Sequence, residues 1–389
     1  MHLSDPATDR FRAELVAWLD AHAPAPAARD RGASEPRPAW LRSWQRTLFE
    51  AGWLVPTWSP DLGGRDASAT QHLIYLEEMG ARDLPRTADP DCLEACVPAL
   101  LEHGTDEQVA EWVVPLLRGD RVWCLAPQGS AAGDRRPVAV AAHGDPAWLV
   151  SGTFAPVAGA EGADRLLCAA WIQHAPDDTG HRPTATEPTV FAVDLSAAGV
   201  SVREFPGATP ADQPRYAVVL TRVPASAGDV IGEPGAGTAV LHGIAVRLRS
   251  ARWVGSLLAA QRAVDGLVVL GRERGLAEDR GFCATLGRVH AQTAAARALA
   301  YWSISKEADG RAAPELAMLP LVTSAAERAV AEAALDALGP AVLDRAGGDL
   351  VRWPDGDWVG RWLASFTPDG GAATQHEAIT DRVLGVRRA

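Results

Sequence analysis

Side chains that could carry enzymatic chemistry are scattered along this sequence and form no familiar catalytic motif. Ser130 and His143 belong to no Gly-x-Ser-x-Gly sequence, which argues against a serine hydrolase. Cys92 and Cys96 are four residues apart but lack a second cysteine pair or a nearby histidine, so we expect no metal site. The residue types therefore point away from serine-based hydrolysis and from metal catalysis.

A glycine-rich segment and a group of arginines are the candidates for binding phosphate. Residues 232–237 lack the Gly-Lys-Ser/Thr ending of a phosphate loop and are more typical of a connection between domains. Arginines are concentrated between positions 247 and 288. Most of them are expected to face solvent beside carboxylates three or four residues away. Arg249 and Arg274 are the two for which we favour a binding role.

Composition excludes several classes of partner. The 389 residues are 47% hydrophobic and carry a formal net charge of −12, which fits a globular protein and disfavours nucleic acid as a ligand. Five scattered cysteines, an odd number, predict reduced thiols and a cytoplasmic location rather than a disulfide framework. No unbroken apolar run reaches the length of a membrane span, and the charged N-terminal segment does not resemble a signal peptide.

The spacing of apolar residues changes twice along the chain. Residues 1–119 predict helices, one of them capped by Thr105 or Asp106. Residues 120–235 hold short runs of β-branched and aromatic residues between turns, which predicts an antiparallel sandwich or barrel. Residues 236–389 return to long helical patterns and predict a bundle. We therefore predict an α+β fold with three domains at these boundaries.

Individual elements follow from the same patterns. Predicted helices cover residues 40–52, 70–81, 106–117, 285–304, 314–338 and 374–384, besides one that begins near residue 237. Predicted strands cover residues 123–126, 138–142, 147–154, 166–172, 189–194, 200–205 and 216–221.

Six segments, taken in chain order, carry a resemblance to one protein family. They are LFEAGW at 48–53, IYLEE at 74–78, HGTDEQ at 103–108, WC at 123–124, the hinge VLTRVPASAGDVIGEPGAG at 219–237 and QHEAITDRVLG at 375–385. Their order across an α-β-α pattern resembles the acyl-CoA dehydrogenase family over essentially the whole chain. The resemblance implies an N-terminal helical domain, a middle β-domain and a C-terminal four-helix bundle.

The same resemblance implies an activity and a set of contacts. The reaction would be FAD-dependent α,β-dehydrogenation of an acyl thioester of coenzyme A or of an acyl carrier protein. The assembly would be a homo- or hetero-oligomer, a dimer or tetramer formed through the bundle. Arg249 carries over as a substrate contact, toward the phosphates of coenzyme A or phosphopantetheine. Contacts to FAD carry over to Gly133, Gly152, Thr153, Arg274 and Gln375.

Several family motifs are eroded at these places. The acidic residue and proline that begin the family's loop before Gly133 are absent, and the Gln-Phe-Gly sequence after Arg274 is missing. In segment 152–159, the family's flavin-contacting Thr does not clearly survive. Pro340 stands in the glycine turn between the last two helices, where it removes an N–H donor and adds bulk.

The catalytic base is also changed. The reaction requires a carboxylate beside the substrate α-carbon, and the family places it at one of two positions. One corresponds to Leu248, which cannot act as a base, and the other to Asp369. Asp369 is therefore the candidate base, although its side chain is one methylene shorter than Glu. The competing interpretation is a solvated aspartate in a Pro-Asp-Gly-Gly turn.

These losses leave a second hypothesis open. The chain could be a paralogue that kept the fold and lost flavin chemistry. Such a protein would be either a non-catalytic partner subunit of a hetero-oligomer or an enzyme that performs a non-redox reaction on a thioester, such as cyclisation or isomerisation.

Overall fold

The computed structural model describes residues 6–25, 39–82, 84–87, 89–127, 129, 136–141, 148–173, 185–205, 215–308, 311, 313–339, 362, 376, 379–380 and 383. The chain divides into two compact units. The bundle unit comprises Met1–Ala23, Asp66–Pro85 and Arg249–Ala389, and the sheet unit comprises Pro24–Arg65 and Arg86–Leu248. The three-domain division of the sequence remains a prediction.

Helices occupy most of the first 120 residues. In the bundle unit these are α1 (Pro6–His22) and α3 (Ala69–Ala81), and in the sheet unit α2 (Ala39–Glu50), α4 (Val97–His103) and α5 (Asp106–Arg118). A π-helical turn, Cys92–Cys96, leads into α4. The predicted helices over 40–52, 70–81 and 106–117 are confirmed, whereas the π turn and α4 were not predicted.

Reciprocal hydrogen bonds fix the starts of two helices. At α3, Gln71 N donates to Ser68 Oγ at 3.3 Å and Ser68 N donates to Gln71 Oε1 at 2.8 Å. At α5, Thr105 and Gln108 make the same pair at 3.3 and 2.9 Å. Each pair satisfies two backbone N–H groups that the helix itself leaves unbonded. Thr105 is therefore the cap of α5. Of the two residues predicted for that position, Thr105 and Asp106, the first is confirmed.

The sheet unit contains eight described strands. They are β1 (Trp123–Ala126), β2 (Val138–Ala141), β3 (Trp148–Ala158), β4 (Arg165–Gln173), β5 (Thr189–Asp194), β6 (Val200–Phe205), β7 (Arg215–Ala225) and β8 (Val230–Ile231). Their order is β6-β7-β3-β2-β4-β5-β8, and β1 pairs with β4. The seven strands predicted from sequence are all present.

Two pairings correct the expectation of a purely antiparallel domain. β4 runs parallel to β1, with Trp123 opposite Arg165, and parallel to β2, with Val138 opposite Trp171. The other pairings are antiparallel. The side-chain pattern of a strand records which face is buried but not the direction of its neighbour, so this feature was not visible in sequence.

The core of the sheet unit is built from the inward faces of its long strands. Phe154, Phe191 and Leu166 have no exposed surface, and Trp148 packs against the ring of Phe191 at a centroid distance of 5.8 Å. Burial of such side chains contributes roughly 1.5–3 kcal/mol each. This core holds β3 and β4 in place, and β3 carries two of the predicted cofactor contacts.

The bundle unit packs long helices through small residues. It contains α7 (Arg280–Ala308) and α8 (Leu319–Leu338). It also contains the part of α6 (Gly237–Glu273) that begins at Arg249. Their shared core contains many alanines, among them Ala260, Ala263 and Ala334. Of the predicted helix 374–384, the described positions show one backbone bond of helical spacing, Val383 N to Ile379 O at 2.8 Å, and one side-chain bond, Thr380 Oγ1 to His376 O at 2.8 Å.

Candidate functional site

Gly152, a predicted cofactor contact, lies in the middle of β3 and is covered by a proline. A Cβ placed on Gly152 would lie 2.7 Å from Cβ of Pro137, the residue before β2. The same proline closes over Gly129, where a Cβ would lie 2.6 Å from Pro137 Cδ. The glycines are therefore required, but the space above them is filled by the proline ring.

The rest of the predicted flavin segment faces the sheet core or lacks a polar side chain. Phe154 and Val157 have no exposed surface. Ala158, near the end of this segment, has no hydroxyl and pairs with Arg215 of β7. Thr153 is exposed and pairs with Val219, so it is the hydroxyl that this segment presents outward. Of the two cofactor contacts predicted on β3, the Thr153 side chain is exposed to solvent and Gly152 is covered by Pro137.

Arg274 lies directly after α6 in the bundle unit. Its backbone N–H donates to Leu270 O at 2.9 Å, its side chain is exposed, and Gly275 follows in the left-handed conformation with φ of 70°. Phe282 packs against Gly271, where a Cβ would lie 2.4 Å from the phenyl ring. The arginine and phenylalanine predicted from the resemblance are therefore both near this turn, with Arg274 free to reach an anion in solvent.

The structure does not describe the side chains of the remaining predicted site residues. Arg249 lies within α6, and its side chain is outside the described parts. Asp369, Gly133, Gln375 and Pro340 lie outside the described residues. Asp369 as the base, Arg249 as a substrate contact, and Gly133 and Gln375 as cofactor contacts remain predictions.

The other position at which the family places its base is occupied by an apolar residue. Leu248 is half-buried on α6 and has no titratable group. Its neighbour Arg247 forms an ion pair with Glu102 of α4, and Gly243 leaves room for that carboxylate, since its Cβ would lie 3.5 Å from Glu102 Oε2. Sequence reasoning missed this pair because the two residues are 145 positions apart.

The HGTDEQ motif joins α5 to the end of the sheet. Gln108 Nε2 donates to Gly228 O and to Val230 O, both at 2.8 Å. Gly232 N donates to His103 O at 3.0 Å. The Gln108 amide and the backbone of His103 therefore hold β8 and Gly232 beside the helices. The motif has a structural role in the sheet unit.

The acidic pair on α3 is neutralised by cations within the bundle unit. Glu77 accepts hydrogen bonds from Arg297 and Tyr301, and Glu78 accepts one from Arg82 at 2.7 Å. Arg12 of α1 bridges both carboxylates. Both carboxylates are thus occupied by partners on neighbouring helices, so we assign the pair to the packing of α1, α3 and α7.

Two kinds of feature are absent from the described parts of the chain. Within them, no group of three or more His, Cys, Asp or Glu side chains could hold a metal ion. Among the helices described, none is long and apolar enough to cross a membrane.

Comparison with known proteins assigns this architecture. Residues 5–120 match the acyl-CoA dehydrogenase N-terminal domain. Acyl-CoA dehydrogenase IpdE1 of Mycolicibacterium smegmatis is 25% identical over 395 residues, 97% of each chain. The N-terminal third of this chain therefore matches an acyl-CoA dehydrogenase domain, and nearly the whole chain is similar to an acyl-CoA dehydrogenase. Acyl-CoA dehydrogenase FadE34 of Mycobacterium tuberculosis is 31% identical over 163 residues, which are 41% of this chain and 22% of that protein.

Solved structures of acyl-CoA dehydrogenases share the complete fold. The Tcur3481-Tcur3483 steroid ACAD covers 100% of both chains with a TM-score of 0.82 and 21% identity. The ChsE4-ChsE5 complex from Mycobacterium tuberculosis likewise covers 100% of both chains, with a TM-score of 0.80 and 20% identity. The predicted order of N-terminal helices, β-domain and C-terminal helices is therefore confirmed.

Members of the acyl-CoA dehydrogenase family bind FAD, and the described residues of this chain fit that group poorly. A flavin needs bare backbone with N–H donors at its contact strand. Here the Pro137 ring fills the space over Gly129 and Gly152, and Ala158 supplies no hydroxyl. Thr153 and Arg274 are the predicted contacts that remain open, one in each unit.

Proposed function

We propose that this chain is a subunit of a heteromeric acyl-CoA dehydrogenase and that a second, homologous chain supplies most of the flavin site and the catalytic base. The observation that carries the proposal is the closure of the glycine segment by Pro137, which leaves the strand without open backbone for a cofactor. The apolar Leu248 at one of the family's two base positions supports it independently.

The relatives give this proposal its form. Two of the structures that match the chain over its full length carry paired names, Tcur3481-Tcur3483 and ChsE4-ChsE5, and the second is described as a complex. A chain that retains the complete fold while losing its own site is what selection for assembly would preserve. In this proposal the fold is kept because it forms the surface that binds the second, homologous chain.

The substrate class proposed is a bulky acyl thioester of coenzyme A, with a thioester of an acyl carrier protein as the alternative carrier. One matching structure is described as a steroid ACAD, which makes a polycyclic acyl group the first to test. Arg249 and Arg274 are the proposed contacts for the phosphates of the carrier, because guanidinium groups bind phosphate in a bidentate manner.

A second candidate function is that of an autonomous FAD-dependent dehydrogenase in which Asp369 is the base. The observation that favours it is the match to acyl-CoA dehydrogenase IpdE1 over 97% of both chains. In that case Gly133, Thr153, Arg274 and Gln375 would contact the cofactor, and Gly152 would have to open by movement of Pro137.

Flavin content separates the two candidates. The chain is purified alone and after co-expression with a homologous acyl-CoA dehydrogenase chain from the same organism, and flavin released on denaturation is measured per chain. We expect no flavin on the isolated chain and flavin on a complex that native mass spectrometry shows to contain both chains. Stoichiometric flavin on the isolated chain would contradict the proposal and support the autonomous enzyme.

A further inference from the structure

We draw no further inference here: the strongest candidate, the outer edge of β6 in the sheet unit, which ends the order of the described strands and leaves Val202 exposed, carries nothing because nothing in the structure shows what covers it.

Discussion

Pro137 lies directly over Gly152, so that a methyl group on the glycine would come within 2.7 Å of the proline Cβ. The two residues belong to neighbouring parts of one sheet, since β2 begins at Val138 and pairs with β3 through Ser151. This contact closes the strand on which the family resemblance places two flavin contacts. It connects the fold of the sheet unit to the proposal that flavin chemistry depends on a second chain.

The first prediction concerns that contact. Gly152→Ala should destabilise the protein by roughly 1–3 kcal/mol because the added methyl overpacks against Pro137. Adding Pro137→Gly to Gly152→Ala should recover part of the loss, since contacting residues are not additive. The measurement is the midpoint of urea unfolding followed by circular dichroism.

Gly228→Ala is the matched control in the same unit, because its nearest neighbour is Ser226 Oγ at 3.5 Å. If Gly152→Ala and Gly228→Ala shift the midpoint equally, then Pro137 does not fill the space above β3.

The second prediction compares two helix caps with the same local geometry. Gln108→Ala should cost about 2 kcal/mol, because it removes the side-chain acceptor of Thr105 N at the start of α5 and leaves the carbonyls of Gly228 and Val230 without their amide donor. Gln71→Ala removes the equivalent acceptor of Ser68 N at the start of α3, where the described residues show no second pair of bonds from the amide, and should cost less than about 1 kcal/mol.

Urea unfolding of the two variants measures the difference. Equal losses for Gln108→Ala and Gln71→Ala would mean that the bonds from Gln108 to the end of the sheet contribute nothing to stability.

The comparison of sequence and structure separates local from long-range information. The start of α5 at Thr105 and the bounds of β1 could be read from the chain because both depend on neighbouring residues. The π turn at Cys92–Cys96 could not be read, because the local pattern there is compatible with an α-helix. The parallel pairing of β1 with β4 depends on residues about 40 positions apart.

The candidate site residues remain predictions, but the surroundings of three of them are now described and could not be read from the sequence. The resemblance located Gly152, Thr153 and Arg274, and the structure places all three. It gave no indication that Pro137 covers Gly152, since these residues are brought together only by strand pairing. The ion pair between Arg247 and Glu102 was hidden for the same reason.

The third prediction contrasts two carboxylates that differ in exposure. Glu77 is 16% exposed and accepts bonds from Arg297 and Tyr301, so Glu77→Gln should cost roughly 1–3 kcal/mol. Glu102 is 42% exposed and pairs with Arg247, which is also 42% exposed, while His103 Nε2 lies 3.9 Å away, so Glu102→Gln should cost about 0–1 kcal/mol.

Thermal unfolding at low and at moderate salt measures both effects. The Glu102 variant should lose its small difference from wild type as salt rises, because exposed pairs are screened. A larger effect at Glu102 than at Glu77 would be inconsistent with this assignment of the charges.

The fourth prediction concerns pH. Burial acts to raise the pKa of Asp194, but hydrogen bonds from Ser196 Oγ and Ser196 N, both 2.7 Å, together with the charges of Arg165 and Arg121, leave it below its usual value. A carboxyl with a lowered folded pKa stabilises the fold above its unfolded pKa, about 3.9, and loses this contribution as pH falls through the folded pKa.

The stability of the wild type should therefore exceed that of Asp194→Asn at neutral pH, and the difference should shrink as pH falls below about 4. Urea midpoints measured from neutral to acidic pH test this. A difference in stability between wild type and Asp194→Asn that stays constant or grows toward low pH would contradict a lowered pKa of Asp194.

The measurement that bears most directly on the proposed function is the flavin content of the isolated chain. The full-length protein, expressed alone, is purified with excess FAD, passed through a desalting column, and its visible flavin absorbance is compared with its protein concentration. We predict a colourless protein, with flavin retained only when a homologous chain is co-purified. A yellow isolated chain with about one flavin per polypeptide would contradict the account.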